Sequence, residues 1–295
     1  AVKLDNVALS FKSWASVSDS SAIGSSLSVQ GSSTGVQSLA AGVRNSAYTF
    51  DGTTGYLRQQ TIATNIGTLS YSGNTFIDDA QTFTSYQAAN PATHMIVITN
   101  SDNTTTWGYI GSGGSATTIN VYTTKTESAA GFNGTSPTGK TPVGYEVRKT
   151  DFQITGSVSV GAWVKTSSSG TILHKFNVNN LHGLGLDDQG TGGVVRFATD
   201  GNLVGVTPVN DNVWHYIVGT FNASTSLKSI YVDGKLDNSA TDANTYDTPE
   251  AFVIGTRFFS GIYQQFFPGS IDEPFVTAEA LTAGQIFDMY NRGRN

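Results

Sequence analysis

The chain contains no cysteine, which excludes disulfide frameworks and thiolate metal sites. Charge is also scarce. Asp, Glu, Lys and Arg make up 13% of the 295 residues, about half the share of an ordinary globular protein. The few cations, such as Arg148-Lys149 and Arg292 with Arg294, are scattered. With a formal net charge of −6 and no basic patch, the chain lacks the electrostatic footprint of a nucleic-acid binder. No run of about 18 apolar residues occurs, so no helical membrane span is expected. No signal-peptide pattern is visible. The first residue, Ala1, fits either loss of an initiator Met or a trimmed leader. If only Met was lost, synthesis without export is expected, as for a virus particle assembled in a cytoplasm and released by lysis.

What fills the chain instead is Ser, Thr, Gly and Asn, around a 38% hydrophobic share. The length fits two domains or one large β-domain and suffices for a sizeable core. The clearest stretch is Val209–Gly234. There Trp214–Val218 and Leu227–Val232 are rich in β-branched and aromatic residues and read as strands. Asn222–Ser226 supplies the turn between them, and Asp233-Gly234 ends the second. The inner face of this pair is expected to carry Trp214, Ile217, Ile230 and Val232.

Further strands are expected along the whole chain. In residues 1–60, Val7–Trp14 alternates, and Ala47–Leu57 reads as a hairpin turning at Asp51-Gly52. In residues 61–149, Thr75–Ile77, Met95–Ile98, Thr106–Ile110 and Thr118–Tyr122 are short strands at all-β spacing. Asn100–Asn103 is a hairpin turn, and residues 128–144 read as a long surface loop. In residues 150–295 the strands lengthen: Val158–Lys165, with Val158, Val160, Ala162 and Val164 on one face, then Thr171–Lys175, His182–Leu186, Val194–Phe197, Ala251–Gly255 and Gly269–Glu273. Only Thr282–Tyr290 reads as helix, with Thr282 and Gln285 as a capping-box pair.

The order of these motifs carries a resemblance. Ser159-Val160-Gly161-Ala162-Trp163-Val164-Lys165, Ile172-Leu173, Val213–Phe221, Ile230-Tyr231-Val232-Asp233-Gly234, Ile254-Gly255, Gly269-Ser270-Ile271-Asp272-Glu273 and Ala280-Leu281-Thr282 together resemble a laminin-G-like domain of the concanavalin A-like lectin/glucanase superfamily. The resemblance implies an all-β jelly-roll sandwich of two antiparallel sheets with one short C-terminal helix. Phe50-Asp51-Gly52 also fits the family, but there it precedes the Ala-Trp-Val strand closely. Here Trp163 lies far downstream. Residues 61–149 are therefore expected to be a small β-rich subdomain inserted into one sandwich formed by 1–60 and 150–295, at an exposed loop.

Catalytic candidates are few. The glycosidases of the superfamily need, in most cases, two carboxylates across the scissile bond. The Glu-x-Asp-x-x-Glu strand motif of the glucanase branch is absent, and the only glutamates are Glu127, Glu146, Glu250, Glu273 and Glu279. Asp272 and Glu273 are adjacent, so in a strand they face opposite sides. Gly31-Ser32-Ser33-Thr34-Gly35 formally matches a nucleophile elbow but lacks the strand–turn–helix context. His94, His174, His182 and His215 form no zinc-type cluster, and His215 reads as a packing residue. No catalytic residue is assigned. Sequons at Asn103, Asn133 and Asn222 are chance matches in so Ser/Thr-rich a chain.

Laminin-G-like sandwiches often carry one structural calcium ion, which takes six to eight oxygens. The resemblance therefore makes Asp272 and Asp51 candidate donors, with Asp187 and Asp188 as a second choice. For Asp51 and Asp233 the alternative is plain turn chemistry. The surface candidate is Arg257-Phe258-Phe259-Ser260-Gly261-Ile262-Tyr263-Gln264-Gln265-Phe266-Phe267. Aromatic faces flanked by amide and guanidinium donors suit the apolar faces and polar edges of sugars, and interfaces enrich the same types. The alternative is that Phe266 and Phe267 pack as core. Arg257, Phe258, Phe259, Tyr263, Gln264 and Gln265 are taken as ligand-binding or interface residues.

These observations lead to an expected non-enzymatic adhesion or assembly protein. The expected setting is a phage virion surface, as a capsid decoration or fibre-associated component present in many copies. Its partners would be capsid or other structural proteins, copies of itself and cell-surface glycans, with neither nucleic acid nor membrane. Many weak sites on one particle gain avidity. The alternatives are a secreted carbohydrate-binding module of an extracellular protein and a divergent glycoside hydrolase.

Overall fold

The structure is a computed structural model. It describes residues 7–10, 27–31, 35–39, 42–43, 47–64, 66–87, 92–177, 182–187, 192–199, 201–241, 248–259 and 261–293. The chain divides into two compact units, one formed by residues 1–59 and 152–295, the other by residues 60–151.

The first unit is an antiparallel sandwich. One sheet runs, in spatial order, Lys235–Thr241, Leu227–Val232, His215–Asn222, Val158–Thr166, Pro268–Thr277, Ala47–Asp51 and Val36–Leu39, with Val7–Ser10 also paired to Pro268–Thr277. The other runs Asn202–Pro208, Val194–Ala198, His182–Asp187, Thr171–Asn177, Val253–Ile254, Tyr56–Gln59 and Leu27–Gln30. Strand alternation builds the core between them. Val158, Val160, Ala162 and Val164 meet Ile172, Leu173, Phe197, Ile217, Ile230, Phe252 and Phe267 there. Each Val, Ile, Leu or Phe among them contributes roughly 1.5–3 kcal/mol when fully buried.

The opposite face of the first sheet is also covered. Trp163, Tyr216, Val218, Tyr231 and Phe275 pack with Leu281 and Ile286 from the C-terminal segment. The helix Ala283–Gly293 starts at the expected capping box: Gln285 N–H donates to Thr282 Oγ1 at 3.3 Å, and Thr282 N–H donates to Gln285 Oε1 at 2.8 Å. Ser159 pins the approach to the helix, donating to the Glu279 carbonyl and accepting from Leu281 N–H.

Two expectations need correction in this unit. Trp214 does not share the inner face with Ile217. The strand begins at His215, and a period of two places Trp214 with Tyr216 and Val218, so it packs on the helix-covered face. Ala47–Leu57 is not a hairpin. Ala47–Asp51 belongs to one sheet and Tyr56–Gln59 to the other. The Asp51 carboxylate accepts from the N–H groups of Thr53, Thr54 and Gly55 and from both Thr hydroxyls. That loop carries the chain across the sandwich rather than back along one sheet. Asp233-Gly234, by contrast, is a tight hairpin turn, both residues having positive φ at 50° and 76°, as a type I′ turn requires.

At one side of the sandwich a strand edge of each sheet is bridged. Asp237 accepts from Val206 N–H at 2.7 Å and Thr207 N–H at 3.1 Å, and Asn238 donates to the Val204 carbonyl at 2.8 Å.

The second unit is an antiparallel sheet in the order Ala63–Thr64, Pro142–Lys149, His94–Asn100, Thr105–Ile110, Thr118–Tyr122, Thr75–Asp78 and Leu69–Ser72. Phe76, Phe83, Ile96, Ile98, Ile110, Ile119, Val121, Tyr145 and Val147 form its main core. Ala92, Met95, Trp107 and Tyr109 form a second cluster. The Asn100–Asn103 turn is present, with Asn103 N–H donating to the Asn100 carbonyl at 2.9 Å and Asn103 at φ 61°. The expected loop over 128–144 is interrupted: Asn133–Gly134 pairs with Trp107 and Thr106, and Pro142 opens an eight-residue strand. Glu146, Arg148 and Lys149 obscured that strand in the sequence, whereas Tyr145 and Val147 supply its inward face.

Candidate functional site

The aromatic stretch forms a two-stranded hairpin, Arg257–Phe259 against Ile262–Gln264. Register puts Phe258 opposite Tyr263 and Arg257 opposite Gln264, so each pair shares a face of the ribbon. Phe267 is core, fully buried between the sheets. Arg257, Phe258, Phe259, Tyr263 and Gln264 are half-buried, Gln265 and Ile262 are exposed, and Ser260 lies outside the described residues. Aromatic rings that are half-buried keep a face or an edge in reach of a partner.

The hairpin leaves the sandwich at a fixed point. Gly255 has φ 84°, and a Cβ there would lie 2.5 Å from the Phe50 ring. Its N–H donates to the Ile172 carbonyl and its carbonyl accepts from Phe267 N–H, both at 2.9 Å. Thr256 Oγ1 donates to the Gln264 carbonyl at 3.0 Å, and Thr171 N–H donates to the Gln265 carbonyl at 3.0 Å.

The hairpin rings join residues of the second sheet. Tyr263 stacks on Tyr56 with ring centroids 4.4 Å apart and planes at 29°. Phe258 tilts against Tyr263 at 5.0 Å, and Phe266 against Tyr56 at 6.1 Å. Arg58 Nε donates to Tyr263 Oη at 3.1 Å. On the ribbon's other face the Arg257 guanidinium lies 4.6 Å from the Phe259 ring centroid, a cation–π contact.

Register also aligns a row across the sheet. Arg58 pairs with Val253, Val253 with His174, His174 with Gly185, and Gly185 with Ala198. Residues directly opposite share a face, and since Leu57, Leu173, Phe197 and Ile254 take the inner one, this row lies on the outer one. Two residues along, Asp187 faces Arg196, whose guanidinium donates to Asp187 Oδ2 at 2.8 and 3.2 Å. His174 is buried and held neutral, its pKa pushed down to about 3 by burial and then by the charges of Arg257 and Arg196. Burial also lowers the Arg257 pKa, as does Arg196, against the opposing pull of Asp187. Arg257 Nε and the fully buried Thr171 Oγ1 have no hydrogen-bond partner among the described residues. The stacked rings thus lie beside the Arg58 guanidinium, and Arg257 and Arg196 lie on the ribbon's other side.

Sequence reasoning singled out the hairpin but missed Tyr56, Arg58, His174 and Arg196. Their signal was strand parity: each alternates with a core residue, Leu57, Leu173 or Phe197. It becomes visible only once the inner face is known.

The proposed calcium donors do not converge. Asp51 pairs with Pro268, whereas Asp272 lies four residues further along the same strand, about 13 Å at ~3.3 Å per residue. Asp51 loses some solvation, but the hydrogen bonds from Thr54, Thr53 and Gly55 outweigh that and hold its carboxyl well below the usual range. Asp272 is buried and accepts from Val43 N–H at 2.7 Å and Glu273 N–H at 2.9 Å. Asp187 serves Arg196, and Asp188 lies outside the described residues. Among the described residues no group of three or more His, Asp or Glu could hold a metal ion, so this donor set does not fit an ion needing six to eight oxygens.

Residues 139–287 match the family model of the laminin G type described as the concanavalin A-like lectin/glucanases superfamily. The chain belongs to this superfamily. No curated protein matches it. Among solved structures, domain 4 of AbnA, an extracellular arabinanase from Geobacillus stearothermophilus, in complex with arabinotriose, is similar with a TM-score of 0.51 at 13% identity, over 98% of this chain and 100% of that one. The binding domain of botulinum neurotoxin serotype D/C is similar with a TM-score of 0.52 at 11% identity, over 98% of this chain and 52% of that one. The chain therefore spans about half the length of that binding domain. At these identities the likeness is one of fold.

Proposed function

We propose that the protein is a non-catalytic glycan-binding module, and that its binding face is the Phe258–Tyr263 hairpin with Tyr56 and Arg58 beside it. The observation that carries this reading is the stack of the half-buried Tyr263 on the buried Tyr56, tied to Arg58. A pyranose ring lays its C–H face on such a platform while the Arg58 guanidinium reaches its hydroxyls. Superfamily membership and the arabinotriose complex of a similarly folded domain support the reading. A glycan array and a panel of immobilised polysaccharides test it: retention lost in a Tyr263→Ala variant is the expected result, and no retention on any glycan would overturn it. Hydrolysis of a β-glucan panel would overturn the non-catalytic part.

The setting we propose is a multi-copy virion surface, with a secreted extracellular module as the alternative. The support is a chain rich in uncharged polar residues, only 13% of it charged, and the presence of a second compact β-unit besides the sandwich. Particles carrying many symmetric copies are the expected finding, and a strictly monomeric secreted product would overturn it.

A further inference from the structure

The aromatic platform has polar neighbours on its own side of the ribbon. Strand Leu27–Gln30 runs antiparallel to Tyr56–Gln59 at the margin of the second sheet, with Ser28 opposite Arg58 and Gln30 opposite Tyr56. Leu27 lies in the core between the sheets, so alternation turns Ser28 and Gln30 to the outer face, where they share a side with Arg58 and Tyr56. Both are half-buried. Tyr263, stacked on Tyr56 and bonded to Arg58, meets the sheet on this same side. Arg257, paired with Gln264 on the ribbon's other face, does not. Gln30 Nε2 donates to Ser28 Oγ at 2.9 Å, and Ser28 Oγ donates to the Arg58 carbonyl across a longer 3.4 Å. A serine hydroxyl has one proton to give, so this order of donors sets the amide nitrogen, not its oxygen, towards Ser28. One N–H of the amide is used there. The second N–H and Oε1 are left as a donor and an acceptor side by side on one planar group.

Resting on the glycan-binding reading above, we infer that Gln30 is a specificity-determining residue of this face, and that it selects a neutral sugar unit with two neighbouring free hydroxyls. Each sugar hydroxyl both donates and accepts. One donates to Gln30 Oε1 while its neighbour accepts from the second Nε2 hydrogen, and the ring reaches from the amide towards Tyr263. A carboxylate carries acceptors alone, so it would set its charge against Oε1. A sugar lacking either hydroxyl leaves one end of the amide unpaired, and an unpaired polar group at a covered site is penalised. Ser28 is a positioning residue: it holds the amide and touches no ligand.

The test uses the full chain with neutral xylo-, arabino- and cello-oligosaccharides and the neutral glycans of the array, measured by calorimetry. The tightest of them is compared with analogues lacking single ring hydroxyls and with hexuronate oligosaccharides of similar length. Loss of either member of one neighbouring pair should weaken binding about three- to tenfold, as for a neutral hydrogen bond. In Gln30→Ala the parent sugar should fall to the affinity of those two analogues, while the analogues bind much as they do to the native chain. A residue with a merely structural role would weaken all ligands alike. Ser28→Ala should shrink the preference without abolishing it. Because the deoxy analogues alter the ligand, the first comparison does not depend on the folding of a variant. Deoxy analogues that all bind as tightly as the parent would overturn this inference and leave the glycan-binding reading standing. A preference for the parent that survives in Gln30→Ala would overturn the assignment to Gln30. Tighter binding of the hexuronates, or binding to acidic glycans alone, would overturn the neutral class. Binding to none of the probes, nor to any glycan of the array, would overturn both this inference and the reading on which it rests.

Discussion

Tyr263 of the hairpin and Tyr56 of the sheet stack at 4.4 Å although 207 positions separate them, and the Tyr263 hydroxyl accepts from Arg58, two residues beyond Tyr56. One sheet strand therefore holds both the ring and the cation that orient the hairpin. The rings divide the work: Tyr56 is buried, and Tyr263 is half-exposed.

Replacing Tyr263 separates platform from tether. Tyr263→Ala removes the stack and should weaken glycan binding about three- to tenfold, the range for one aromatic stacking contact. Tyr263→Phe keeps the ring and loses the hydroxyl that meets Arg58 and Tyr56, so it should retain most of the affinity. Calorimetry on both variants distinguishes the contributions.

The departure point of the hairpin makes a stability prediction. At Gly255 a methyl group meets Phe50 and must also sit at positive φ. Gly255→Ala should destabilise the sandwich by about 1–3 kcal/mol, as overpacking does, and weaken glycan binding with it. Chemical denaturation and binding measured on the same variant check that the two fall together.

His215 links stability to pH. Its Nδ1 lies 2.9 Å from Asp233 Oδ2 and its Nε2 lies 3.2 Å from Asp211 Oδ1. Hydrogen bonding to Asp233 raises its pKa, partial burial opposes the shift, and the charges of both carboxylates add to it. A pKa raised by folding means that the bound proton stabilises the native state. That contribution is complete below the unfolded-state value of about 6.5 and disappears as pH rises through the higher folded value. The melting-temperature advantage of the native chain over His215→Gln should therefore be largest near pH 5.5 and shrink towards pH 9.

Calcium gives a fourth test. Asp51 spends its oxygens on five donors within its own loop, and Asp272 is buried on backbone N–H groups. Millimolar calcium or a chelator should leave the melting temperature unchanged, and a calcium-dependent rise abolished by Asp272→Asn would contradict this.

Much of the sandwich was legible because its strands alternate cleanly. Val158 to Val164 declare their inner face by spacing alone, and Asp233-Gly234 declares its turn. Where legibility failed, a local rule was overridden. Asp51-Gly52 has the composition of a hairpin turn, but the carboxylate organises the three residues after it and sends the chain to the other sheet. Trp214 attracted notice as a large apolar residue, yet parity with Tyr216 decides its side. The strand Pro142–Lys149 hides its two inward residues among a proline, a glycine and charges. In the candidate site the hairpin stood out through its density of aromatics. Arg58, His174 and Arg196 did not, because a single polar residue in a strand looks like ordinary solvent-facing alternation until strands distant in sequence are laid side by side.

Asp237 has a consequence for behaviour at high concentration. An unpaired strand edge is a template on which another chain can add. By taking up the outward N–H groups of Val206 and Thr207, this one carboxylate blunts that template where both sheets end. At this edge, copies crowded together would then meet through side chains rather than through a shared backbone ladder. The side chain that ties the two sheets together is in this sense also a guard against fibre growth.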